Sequence, residues 1–196
     1  MNRTINYLPC SIVCHGECEL IFVKQIQIKK RRNLNPLSEK NGKQSILINT
    51  INHFLKCRFP DEHSYIRKNK DFLLIDNESK KIIKHKIFTI MDKDDTPDDV
   101  FLKYKSKELF KDFWWGKEDL IVPIYFDPNL DTVLIRHGFK IDSSKHKPAQ
   151  YFKLMTTQYD EVIELLCFLD KKETNIKVLF EYLDGLKPTK IEDKTK

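Results

Sequence analysis

The 196 residues are 40% apolar and 33% charged, the length and balance of one globular domain, with or without a helical extension, rather than of a membrane protein or a coiled-coil rod. No run approaches 18 apolar residues, and residues 1–9 hold one arginine and no apolar stretch long enough for a signal-peptide core, so the sequence predicts a cytoplasmic protein with no membrane partner. Lys and Arg number 35 against 29 Asp and Glu, a net charge of +6, which favours an anionic partner, nucleic acid or nucleotide first. The five cysteines are an odd count with three inside nine residues, which argues against a secreted disulfide framework and for free thiols.

Residues 8–14 (LPCSIVC) form a short, partly β-branched apolar run that ends at His15-Gly16. Residues 17–32 then place Leu20, Phe22, Val23 and Ile26 at helical spacing, so the segment reads as strand, tight turn and helix. That helix finishes in Lys29, Lys30, Arg31 and Arg32, cations suited to the negative end of its dipole. A polar loop over 33–43, with room for a short strand, leads to an amphipathic helix over 45–56 carrying Leu47, Ile48, Ile51, Phe54 and Leu55 on one face. Residues 58–70 read as irregular, 72–75 as a weak strand, and 86–91 (KIFTIM) as a strong strand of the kind buried in a parallel sheet.

Thr96 and Pro97 have the chemistry of an N-cap and a first helical residue, and the helix they open is predicted to run to about residue 112. Residues 120–126 (LIVPIYF) read as another buried strand, whose Pro123 argues for an edge or a bulge. Asp127-Pro128 begins a helix that Gly138 ends. The rest is mostly helical, near 150–155, over 159–169, and in a last segment capped by Thr174 and closed by Gly185, before a frayed tail over 186–196. Strands alternating with helices predict an α/β fold, a mainly parallel sheet flanked by helices over 1–155, with a helical extension over 156–185 packed on it.

Ligands of such sheets gather at the carboxyl ends of strands, and three predicted strand ends are polar: 15–19, 92–95 and 127–131. In IFTIMDKDD the Asp-x-Asp spacing sets Asp92 and Asp94 on the same side of the chain, where both can point at one hard cation such as Mg²⁺. Asp95, Asp98 and Asp99 also suit a helix N-terminus, which makes Asp95 the weaker ligand candidate. In CHGECE the acids Glu17 and Glu19 fall in the first helical turn. Carboxylates from both segments on one sheet edge would repel unless a metal compensates them. His15 is a candidate ligand, acid or base, or packing residue.

The strand that ends in a glycine with acids just beyond it (residues 12–19, IVCHGECE), followed by a strand ending Asp92-x-Asp94, resembles the Toprim fold of topoisomerases, primases and OLD-family nucleases. It is more closely similar to RloB-like proteins associated with bacterial phage defence, which add an Asn-x-x-Glu-type helix start and a Tyr-x-Lys. Here Asn129-Leu130-Asp131 and Tyr151-Phe152-Lys153 stand in those places, so the resemblance spans about residues 8–155.

The resemblance implies a Rossmannoid, Toprim-like domain with phosphoryl-transfer chemistry. One or two Mg²⁺ or Mn²⁺ ions would be bound by Glu19, Asp92 and Asp94, with His15 and Asp131 assisting and Lys153 neutralising phosphate charge. The implied activity is a metal-dependent nuclease or related phosphodiesterase acting on DNA or RNA, with a partner subunit of a defence system or a second copy of the chain as further partners. Two departures stand out: His15 occupies the place of the glutamate expected before the glycine, which passes that role to Glu17 or, as the better match, Glu19, and Asp131 stands where glutamate is usual. They sustain an alternative, a catalytically degenerate Toprim-like module that binds nucleic acid or a partner protein.

Between Lys24 and Lys43 seven basic side chains face one acid, Glu39. They are suited to a nucleic-acid backbone without base readout, with Lys29 to Arg32 as the core of that patch, and equally to a solvated face. Cys10, Cys14 and Cys18 lack a structural-zinc spacing. Trp114-Trp115 read as a loop packed on the core before they read as a stacking platform.

Overall fold

The computed structural model describes residues 9–70, 73–75, 78, 82–83, 85–94, 96–142 and 146–185. Four strands, β1 (Cys10–Cys14), β2 (Leu34–Leu37), β5 (Lys86–Asp92) and β6 (Ile121–Phe126), form one parallel sheet in the order β2-β1-β5-β6. A separate antiparallel ribbon joins β3 (Leu74–Ile75) to β4 (Ile82–Ile83). Eight α-helices complete the described residues: α1 (Glu17–Lys30), α2 (Ile51–Arg58), α3 (Glu62–Asn69), α4 (Asp98–Lys105), α5 (Leu130–Arg136), α6 (Lys147–Thr157), α7 (Tyr159–Phe168) and α8 (Lys177–Gly185). The fold is therefore α/β, a parallel sheet flanked by helices and closed by a helical C-terminal half.

The alternation of each strand sorts its side chains to two layers. Cys10, Ile12 and Cys14 of β1, Phe88 and Ile90 of β5, and Ile124 and Phe126 of β6 pack with α1, α5, α6, α7 and α8. Val13, Ile87, Met91, Ile121 and Tyr125 face the other way, onto α2, α3, α4 and the buried Trp115. Burial on both faces explains why the central strands read as unbroken apolar runs rather than alternating ones. Helices α7 and α8 share the first core with α1 and the sheet.

Pro123 sits on β6, an edge of the sheet, as its missing N–H requires. That edge is not left open. Asn175 Nδ2 donates to Pro123 O at 2.9 Å, its Oδ1 accepts from Tyr125 N at 3.0 Å, and Asp127 N donates to Glu173 O at 2.8 Å. Asn175 is thus an edge cover, while Thr174 Oγ1 accepts from Ile176 N at 3.2 Å just before α8.

Several boundaries differ from the sequence reading. The helix predicted over 45–56 starts only at Ile51, because Thr50 closes a turn on Leu47 (N to O, 3.0 Å) and Ile46 is drawn into a bond with His15 O (2.8 Å). Leu47 is 41% exposed as a result. The irregular 58–70 contains helix α3, which Asp61 caps by accepting from Ser64 N at 2.6 Å. The helix after Pro97 ends at Lys105, not near 112, since Lys107 takes a left-handed φ of 66° and Phe110 follows in a short 3-10 turn. Helix α5 begins at Leu130 under an Asn129 cap (Asn129 Oδ1 from Thr132 N, 2.8 Å) rather than at Asp127. The tail over 186–196 and Asp95 lie outside the described residues.

Candidate active site at the strand ends

β1, β5 and β6 are adjacent and parallel, so their carboxyl ends meet on one edge of the sheet. The three polar segments singled out above follow those ends. Glu19 lies in the first turn of α1 and is 4% exposed, and its Oε2 accepts from Gly16 N at 2.9 Å, a bond that ties the acid to its own helix start. Asp92, the last residue of β5, is half-buried and its Oδ1 accepts from Leu130 N at 3.2 Å. Asp131, in the first turn of α5, accepts from Tyr151 OH at 2.5 Å and is ion-paired to Lys147.

These carboxylates act on one another. Burial pushes Glu19 above the ordinary carboxylate range, the neighbouring His15 opposes that shift and Asp131 adds to it. Asp92 is pushed well above its usual range, first by burial and then by the charge of Glu19, with Asp94 and Asp131 adding to it against the Leu130 N–H. Glu19, Asp92 and Asp131 therefore form one acidic constellation, with Glu19 buried and Asp92 and Asp131 half-buried. Asp94 is exposed, and Asn129 Nδ2 donates to its Oδ2 at 2.5 Å.

His15 continues the β1–β5 ladder through its backbone (N to Ile90 O, 3.0 Å), while its buried Nδ1 has no hydrogen-bond partner. Buried polar atoms are ordinarily paired, so His15 Nδ1 is an unmet donor or acceptor beside Glu19. Lys153 is exposed on α6 and lines a cavity of about 590 Å³ with Lys140 and His146, away from Asp131. The cation that meets Asp131 is Lys147. The sequence reading missed it, although Lys147 and Tyr151 are four residues apart and so share one face of α6.

The basic cluster stands elsewhere. α1 leaves the carboxyl end of β1 and delivers the chain to the amino end of the parallel strand β2, so Lys29, Lys30, Arg31 and Arg32 lie most of a helix length, about 15–20 Å, from Glu19. Lys30 pairs with Asp184 at 2.6 Å, and Lys29 lies over the Tyr159 ring at 5.6 Å. Cys10 and Cys14 are buried in β1. Trp115 is buried and donates to Asn52 Oδ1 at 3.1 Å, while Trp114 donates to Phe59 O at 3.0 Å, so both indoles serve packing.

Carboxylate oxygens are the ligand type of Mg²⁺ and Mn²⁺. Among the described residues no group of three or more His, Cys, Asp and Glu side chains is arranged to hold a metal ion. Mg²⁺ is nonetheless usually held by one or two carboxylates, with water and phosphate supplying the rest. The donor chemistry of Glu19 and Asp92, beside the unpartnered His15 Nδ1, fits that pattern. Among the described residues no helix is long and apolar enough to cross a membrane. No protein-family model, curated protein or solved structure compared with the chain matches it.

Proposed function

We propose that the chain is a metal-dependent nuclease or related phosphodiesterase with a Toprim-like site, in which Glu19 and Asp92 hold Mg²⁺ or Mn²⁺. The observation that carries this reading is the gathering of Glu19, Asp92 and Asp131 at three adjacent parallel strand ends, where burial shifts Glu19 and Asp92 above the ordinary carboxylate range. A purely structural domain gains nothing from placing such acids together. A divalent ion at that place supplies Lewis-acid polarisation of a phosphodiester oxygen.

The protein groups have separable tasks. The N–H groups of Gly16 and Leu130 orient Glu19 and Asp92. Lys147 and Tyr151 hold Asp131 in place, where it positions a water or a phosphate oxygen. His15 Nδ1 is available to take or give a proton at the edge of the acids. Lys153 and Lys140 neutralise the phosphates of the bound strand beside α6. Either DNA or RNA satisfies this chemistry, as does a chain working with a partner subunit of a defence system or a second copy of itself.

The test is cleavage of labelled single- and double-stranded DNA and RNA in Mg²⁺, Mn²⁺ or EDTA. Metal-dependent cutting is expected, reduced by at least about a hundredfold in Asp92→Asn and Glu19→Gln. Two observations favour a second reading, a degenerate binding module: Asp131 is already satisfied by Lys147 and Tyr151, and a histidine stands at the turn before Gly16. Salt-sensitive nucleic-acid binding that is equal in wild type and Asp92→Asn, with no cutting by either, would establish that reading.

A further inference from the structure

Cys57 and His53 lie one turn apart on α2, and Cys57 Sγ is 3.5 Å from His53 Nε2. Both are exposed, and both line a cavity of about 650 Å³ together with Ile46, Phe54, Glu39 and Arg58. None of these residues belongs to the carboxylate constellation, and the volume is that of a small-molecule site.

The surroundings are cationic at the sulfur's end of the cavity. Arg58 follows Cys57 in sequence, with its guanidinium 5.6 Å over the Phe54 ring, and Lys56 precedes it. The last carbonyls of a helix disfavour a thiolate, but here Lys68 Nζ donates to Arg58 O at 2.5 Å and brings a further positive charge to the end of α2. Glu39 is the one acid among the cavity's lining residues. A histidine and flanking cations around an exposed sulfur are the setting in which thiols react.

The other four thiols are not in that setting. Cys10 and Cys14 are fully buried, and burial pushes both upward. Burial also pushes Cys18 up to about 12, with acids around it adding to the shift, and raises Cys167.

We infer that Cys57 is the modifiable thiol of this chain, in a site that takes a small carboxylate-bearing disulfide by thiol–disulfide exchange. His53 Nε2 takes the proton from Cys57 Sγ, and the sulfur attacks one sulfur of the disulfide. The ligand's S–S bond breaks as the Cys57 mixed disulfide forms, and the departing thiolate recovers the proton from His53. Cys57 is oxidised, one sulfur of the ligand leaves as a thiol, and nothing else is consumed. The carboxylates pair with Arg58 and the aromatic wall of Phe54 receives the ligand's apolar part. This site is independent of the nuclease reading.

The full chain, reacted with 5,5′-dithiobis(2-nitrobenzoate) and with the cationic disulfide cystamine from neutral to alkaline pH, tests the proposal. One fast-reacting thiol per chain is expected, assigned to Cys57 by peptide mass spectrometry and lost in Cys57→Ser. His53 takes the proton from the sulfur, so His53→Ala should slow the fast phase by about tenfold at neutral pH and converge with wild type at alkaline pH, where hydroxide removes the proton instead. Because the aromatic reagent has the better leaving thiol whatever the protein does, the charge preference is read against a free cysteine peptide: the ratio of anionic to cationic rate should be higher for the chain than for the peptide, and Arg58→Ala should bring it down to the peptide's value. A fast phase that survives Cys57→Ser, a pH profile unchanged by His53→Ala, or a rate ratio for the two reagents no higher than that of the free cysteine peptide would each overturn the assignment. All three side chains are exposed, and circular dichroism of each variant separates altered reactivity from altered folding.

Discussion

Glu19 and Asp92 spend solvation to reach their places, and the cost has a pH signature. Both bind protons more tightly in the folded chain than in the unfolded one. Their contribution to stability is therefore fully present below the ordinary carboxylate range and is lost as pH rises through their raised values. In EDTA, Glu19→Gln and Asp92→Asn should each be more stable than wild type near neutrality, by on the order of 1 kcal/mol or a few degrees of Tm. The gap should close as the pH falls to about 4. Thermal melts of the three proteins across that range measure it, and a gap that is constant or reversed would show that the two acids are not strained by burial. Saturating Mg²⁺ should raise wild-type Tm and leave Asp92→Asn unmoved. The residue types at the strand ends were legible in the sequence, but their full grouping was not: Asp-x-Asp places two acids near each other, and the structure adds Glu19 and Asp131 to the acids that act on Asp92 while Asn129 donates to Asp94.

At the scale of elements, the start of α1 positions Glu19 and depends on a glycine far from it in sequence. Gly42 has a φ of +85°, and a Cβ there would stand 2.6 Å from Glu17 Cα and 2.9 Å from Glu17 N. Gly42→Ala is expected to destabilise by about 1–3 kcal/mol and to displace the first turn of α1. It should lower metal-dependent activity as well as the urea midpoint. Gly138→Ala offers the contrast, because its φ of +93° is strained but nothing stands within 4 Å of its Cβ position, so its loss of stability should leave activity per folded molecule unchanged. At the opposite edge Asn175 replaces the strand that β6 lacks, and Asn175→Ala leaves Tyr125 N and Pro123 O without partners. That should cost about 1–3 kcal/mol in equilibrium urea unfolding. No local signal marks either role, since each is defined by a backbone brought near from some 25 or 50 positions away.

Across the whole molecule the acids and the basic cluster lie at opposite ends of the strands, so a nucleic acid bound at Lys29, Arg31 and Arg32 would have to run along α1 to reach the acids. Neutralising those three side chains is expected to reduce the salt dependence of nucleic-acid binding by roughly one to three counterions. It should raise KM while kcat stays near the wild-type value. A matching loss of kcat would place the cluster at the reacting phosphate, contrary to the topology. Lys30 is left out of the substitution because it pairs with Asp184 at the end of α8.

The sequence by itself determined the parallel α/β class, the two strongest strands and the first helix, because hydrophobic periodicity and length are local quantities that survive in any context. It also singled out the strand ends as the candidate site, since an apolar strand that stops at an acid needs no neighbours to be seen. It did not show that Lys147 and Tyr151 hold Asp131, that α3 exists within 58–70, that Leu47 faces solvent, or that Lys29 to Arg32 lie most of a helix length from Glu19. Those facts depend on which elements become neighbours, and that is decided by burial of two separate apolar faces across one sheet, a property no single segment carries.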